Sequence, residues 1–167
     1  LLGDSHQPLH SAAIFSSRYL PQGDLGGNKL AVTTTPTAAP ISLHQLWDDI
    51  FGDDPKTEKA TKGRIVAAHP RGRRTREIGD VSPAVPLETT VNLWLDESFR
   101  AADTSVYDAH IRGVLVAAPT PDAAWPFPVA LDGRYLQGAR KVAMHRVALA
   151  GYRLADCIRR AESSVRP

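Results

Sequence analysis

Apolar residues recur at helical spacing in three stretches of the chain and alternate in only one. Leu43, Leu46, Trp47 and Ile50 share one arc at steps of three and four, the mark of an amphipathic helix. Ser42 stands before this run with Gln45 three residues on, as in a capping box, and Gly52 follows Phe51 as a stop. The pattern therefore predicts a short helix over residues 42 to 51. His44 and Asp48, four apart, lie together at the edge of its apolar arc.

Between residues 86 and 107 the positions Leu87, Val91, Trp94, Ser98, Ala102 and Val106 predict a second helix. From residue 135 to about residue 160, Leu136, Ala139, Ala143, Val147, Ala150, Leu154 and Ile158 predict a third and longest helix with these residues on one face. Residues 53 to 84 form a polar connection broken by Pro55, Pro70, Gly72, Gly79 and Pro83. A proline-rich excursion with Pro119, Pro121, Pro126 and Pro128 surrounds Trp125 and Phe127. Only residues 29 to 34, with alternating Leu30 and Val32, have strand character. There is no internal repeat, and the predicted class is mainly α.

Composition adds bounds. At 167 residues, 43% hydrophobic and 23% charged, the chain is one ordinary globular domain's worth of protein. The single Cys157 excludes an internal disulfide. No apolar run approaches the ~20 residues that cross a bilayer, so no membrane span is expected. A net charge of +2 permits a polyanionic substrate without requiring one. The run Arg71-Gly72-Arg73-Arg74-Thr75-Arg76, after Lys56, Lys59, Lys62 and Arg64, fits either a phosphate-binding surface or a solvated loop. Trp47 and Trp94 fall on apolar helix faces and are expected in the core.

The first forty-eight residues carry the chemistry. Leu2-Gly3-Asp4-Ser5-His6-Gln7-Pro8-Leu9-His10 is followed by Asp24-Leu25-Gly26-Gly27-Asn28 and then by Ser42-Leu43-His44-Gln45-Leu46-Trp47-Asp48. Imidazoles and carboxylates are the ligands zinc takes besides thiolate, and three protein ligands with an open position mark a catalytic rather than a structural site. Each part alone has a plainer reading. A His and an Asp four apart are commonly a surface pair worth a few tenths of a kcal/mol; His6 and His10 fit satisfied core or capping roles; paired glycines are often a simple turn.

Together, in this order and spacing, they resemble the C-terminal half of the signature of the zinc-dependent single-strand nucleases of the mung bean type. The fold of those enzymes is shared with bacterial zinc-dependent phospholipase C. The resemblance continues through Trp94-Leu95-Asp96-Glu97-Ser98, Val106-Tyr107 and Leu149-Ala150-Gly151-Tyr152-Arg153-Leu154-Ala155. It implies the helical phospholipase C and single-strand nuclease fold, with residues 1–167 as the C-terminal portion of one nuclease domain.

Position by position, Asp4 resembles a carboxylate that bridges two of three zinc ions, and His10, His44 and Asp48 resemble the full protein ligand set of the remaining one. Asn28 resembles the amide beside the scissile phosphate. Ser42 stands where the family usually has Asn, and still serves as an N-cap. The implied activity is zinc-assisted hydrolysis of single-stranded DNA or RNA to 5′-nucleotides, with 3′-nucleotidase activity as a companion. The family's other zinc ligands fall upstream of Leu1 in its order. The chain is therefore expected to lack N-terminal helices, to complete about one zinc site, and by itself to be inactive and either poorly soluble or metal-dependent in stability. A periplasmic or secreted location is implied by the resemblance alone. The rivals are a phospholipase C acting on lipid phosphodiesters and a non-enzymatic helical domain that binds one zinc or none.

Overall fold

The computed structural model describes residues 2–17, 19–51, 87–117 and 128–165. The predicted polar connection, its basic run and the excursion around Trp125 lie outside the described residues.

Two 3-10 turns open the chain, Asp4–His6 and Pro8–His10. Then come β1 (Ala31–Thr33), β2 (Ile41–Ser42) and α1 (Leu43–Asp48), followed by α2 (Leu87–Ala101), a π turn (Ala102–Val106), α3 (Ala109–Ala117), β3 (Val129–Ala130) and α4 (Gly133–Val165). The class is mainly α, as the pattern predicts, with one small sheet in the order β2-β1-β3. The central strand β1 pairs antiparallel with β2 (Val32 opposite Ile41) and parallel with β3 (Val32 opposite Val129). β2 and β3, two residues each, carry too little alternation to be seen in sequence, and α3 escapes the pattern as well.

The sheet matters because it aims α1. β2 runs directly into that helix, and the Leu43 amide donates to the Leu30 carbonyl at 2.8 Å. Ser42 caps the helix as expected, its Oγ accepting from the Gln45 amide at 3.0 Å. Leu30, Val32, Leu43, Leu46 and Trp47 are buried with Val106, Ile111, Val129, Leu131 and Tyr135 in one core. Trp47 Nε1 donates to the Tyr135 hydroxyl at 3.1 Å, and that hydroxyl donates to the Val106 carbonyl at 3.0 Å. One chain of hydrogen bonds thus ties α1, α4 and the π turn. Burial, helped by the Asp108 charge and opposed by the hydrogen bond from Trp47, pushes the Tyr135 pKa well above its usual 10.

α2 appears where predicted, with Trp94, Ser98, Ala102 and Val106 buried along its length and the π turn that continues it. α4 is longer than predicted, and its buried face matches the expected one only at Ala139 and Ala143. Tyr135, Ala139, Ala143, Arg146, Leu149 and Arg153 face inward, while Val147, Leu154 and Ile158 are about half exposed. The reason is that two arginines occupy inward positions seven residues apart, where an apolar pattern reads a polar surface. α2 packs on both 3-10 turns, and α4 packs on the first turn and the π turn.

Candidate metal centre

α1 presents His44 and Asp48 one turn apart, and the second 3-10 turn brings His10 beside them. The His10 and His44 rings stack with centroids 5.2 Å apart. One ligand atom from each of His10, His44 and Asp48 lies within 4.8 Å of the others. No other group of three such residues is found among the described residues.

His44 and Asp48 are each oriented from behind. His44 Nδ1 lies 2.7 Å from the Gly26 carbonyl. A carbonyl only accepts, so Nδ1 carries the proton, and in the neutral ring Nε2 is left with its lone pair. That nitrogen faces Asp48 Oδ2 at 3.4 Å. Asp48 Oδ1 meanwhile accepts from Gln7 Nε2 at 3.0 Å. Two acceptors facing each other in this way are stabilised by a proton or a cation between them, and the stacked His10 adds a third donor atom for a shared cation. Two imidazoles and a carboxylate, with His44 and Asp48 each held by an outer partner, are chemically the donor set of an open zinc site.

The Gly26-Gly27 turn makes this approach sterically possible. Gly26 has φ +61°, and a Cβ there would lie 2.5 Å from the Leu9 carbonyl oxygen; Gly27 has φ +84°, and its Cβ would press on the His44 amide. Only glycine lets this loop pass between the second 3-10 turn and the start of α1. Asp24 holds the loop from inside. It is fully buried, accepting from the Ile14 amide at 3.1 Å and from the Tyr107 hydroxyl at 2.8 Å. Burial, reinforced by the Asp24 carboxylate, pushes the Tyr107 hydroxyl far above its usual pKa.

The other two residues singled out in the sequence are placed differently. Asp4 is exposed, with Oδ1 3.9 Å from His10 Nδ1; it borders the group of three without joining it. Asn28 is exposed, its Nδ2 donating to the Leu25 carbonyl at 2.9 Å within its own turn. A cavity of about 390 Å³ is lined by Asp4, His10 and Asp48 on one side and by Trp47, Ile50, Val147 and Ala150 on the other. Asn28 is not among its lining residues.

Behind the two 3-10 turns lies a cluster that the sequence pattern did not single out. Glu97 on α2 accepts from Arg153 Nη1 and Nη2, each at 2.8 Å, and from Arg146 Nη1 at 3.1 Å. Arg153 also donates to His6 Nε2 at 2.8 Å and lies over the Trp94 ring, 5.2 Å from its centroid. His6 is buried with its Nδ1 2.8 Å from the Leu2 carbonyl, so the ring is neutral with its proton on Nδ1. Burial lowers the His6 pKa from its usual 6.5 to about 4, the charges of Arg146 and Arg153 act the same way, and the bond to Leu2 opposes them. For Glu97, burial raises the pKa, but the hydrogen bonds and charges of Arg153 and Arg146 together outweigh it and the net shift is downward. The signal for this cluster was present: Arg146 and Arg153 are seven residues apart, hence on one helix face.

Comparison with known proteins bears on the same residues. A search of curated proteins returns no match. Among the described residues no helix is long and apolar enough to cross a membrane. The family model described as S1/P1 nuclease matches residues 1–162, a span that takes in the turns, the glycine loop, α1 and the arginine cluster. The chain thus belongs to the S1/P1 nuclease family.

Proposed function

We propose that the chain carries part of the active site of a zinc-dependent nuclease acting on single-stranded DNA or RNA, with His10, His44 and Asp48 as the ligands of one zinc ion. The observation that carries this reading is the facing pair of acceptors, His44 Nε2 and Asp48 Oδ2, 3.4 Å apart with the opposite atom of each residue already engaged. When bound, zinc supplies Lewis acidity, drawing charge from a phosphoryl oxygen and acidifying water. The chain's own residues then have distinct parts. The Gly26 carbonyl fixes the His44 tautomer, and Gln7 turns Asp48 toward the imidazole. Asp4, exposed beside His10, is the carboxylate that would extend the centre to further ions. Asn28, with a second amide proton beyond its bond to Leu25, is the neutral donor for a phosphoryl oxygen.

Membership of a nuclease family favours nucleic acid over phospholipid. Hydrolysis of single-stranded DNA against phosphatidylcholine, with zinc present, separates the two. The zinc site itself is tested by elemental analysis of the purified chain. About one zinc per chain, as three protein ligands imply, lost in His44→Ala while circular dichroism stays helical, is expected. A folded wild-type chain that binds no zinc overturns the reading.

A further inference from the structure

We propose that Arg146 and Ser98 are positioning residues that set the placement of Asp4 and His10, acting from α4 and α2 through the backbone of the two 3-10 turns. The proposal rests on the zinc-site reading above and extends it to residues that are not ligands.

A three-residue 3-10 turn is a weak support for a metal ligand, since its hydrogen bonds have poor geometry. Asp4 and His10 both stand on such turns and both are exposed. What fixes the turns comes from far along the chain. Ser98 Oγ donates to the Ser5 carbonyl at 2.5 Å. Arg146 Nε donates to the next carbonyl, that of His6, at 3.1 Å. The carbonyls of the two residues after Asp4 are thus held by α2 and α4, and that of Leu2, two residues before it, by His6.

Arg146 is built for this part. It is 5% exposed, and each of its nitrogens is engaged: Nε with His6, Nη1 with Glu97, Nη2 with Ser98 Oγ at 2.5 Å and the Trp94 carbonyl at 3.4 Å. It lines the cavity shared with Asp4, His10 and Asp48, yet four of its five N–H donors are spent on the protein interior. A planar guanidinium reaches these partners at fixed angles, which a lysine cannot copy. The second turn inherits the placement, because Pro8 and the bond from the His10 amide to the Gln7 carbonyl leave it little freedom.

The test is zinc affinity and the cobalt(II) ligand-field spectrum of the 167-residue chain, measured for wild type, Arg146→Lys, Ser98→Ala and Leu115→Ala. Leu115 is a buried residue of α3 and serves as a destabilised control that leaves the turns alone. Arg146→Lys and Ser98→Ala are expected to weaken zinc binding about tenfold or more, the usual effect of losing an outer-shell partner, and to alter the cobalt spectrum. Leu115→Ala is expected to lower the thermal midpoint of the metal-free chain with affinity and spectrum unchanged. Ser98→Ala removes a single hydroxyl and keeps the question answerable if Arg146→Lys does not fold. Wild-type affinity and spectrum in folded Ser98→Ala and Arg146→Lys overturn the positioning role while leaving the zinc site standing. Absence of metal binding in wild type overturns both.

Discussion

The two polar clusters of this protein, one behind the 3-10 turns and one in front of them, are satisfied in opposite ways. Behind, Glu97, Arg146, Arg153, His6 and Ser98 answer one another, and among the described residues Arg153 Nε is the one buried nitrogen of the cluster with no partner. In front, His44 and Asp48 each have one atom tied to the protein and another directed at each other. The first arrangement closes on itself and specifies a structure; the second leaves acceptor capacity that a cation completes. Buried charge is tolerated only when paired and hydrogen-bonded, so the rear cluster cannot lose a member cheaply. The front cluster, nearer solvent, can lose one and remain folded.

That contrast can be broken by substitution. Arg153→Ala removes both bonds to Glu97, the bond to His6 and the contact with Trp94. It is expected to cost about 3 kcal/mol in urea unfolding, the low end for a broken buried pair, because Glu97 is itself 42% exposed. A loss below about 0.5 kcal/mol, the size of a neutral surface change, would show that the rear cluster does not set stability.

A pH titration sharpens the same point. The unfolded chain protonates His6 near 6.5, whereas in the fold it does so only near 4. Between these values the unfolded state binds more protons, so stability falls as pH drops from 6.5 to about 4 and this contribution levels off below. Urea midpoints across this window should therefore fall less steeply in His6→Gln than in wild type. Equal slopes would mean that the His6 ring does not stay neutral in the fold. Glu97 acts in the same sense at lower pH, since its depressed carboxyl stabilises the fold above the ordinary carboxylate range and loses that contribution as it protonates.

The smallest effect is expected in front. Gln7→Ala frees Asp48 Oδ1 and should weaken zinc binding about tenfold. Gln7 Oε1 also accepts from the Leu9 amide at the start of the second 3-10 turn, so metal-free stability should change by no more than about 2 kcal/mol, the net worth of two hydrogen bonds. Isothermal titration with zinc and urea unfolding of the metal-free variant measure the two separately. A large stability loss with unchanged affinity would reverse the roles assigned to the two clusters.

Legibility in the sequence followed the range of each interaction. His44 and Asp48 were readable as a pair because helical periodicity alone puts residues four apart side by side, and Ser42 as a cap because its partner is three residues away. The second helix was readable from Trp94, Ser98 and Val106 at helical steps. The inward face of α4 was readable only at Ala139 and Ala143. Its inward positions include alanines and two arginines, so the larger apolar residues Val147, Leu154 and Ile158 drew the reading to a face that is half exposed. Nor did the pattern show α3, or that His6 would be buried against Trp94 and Arg153.

The sequence by itself determined which residue types could ligate a metal, the spacing of two of them on one helix and the mainly helical class. These depend on local geometry, which the order of residues dictates. Only the tertiary structure decided that His10 stacks on His44, that Gln7 reaches Asp48, and that Ser98 and Arg146 grip consecutive carbonyls after Asp4. Those contacts join residues 34 to 140 positions apart. They exist because the core formed by β1, α1, the π turn and α4 docks these elements at one angle, which no local pattern records.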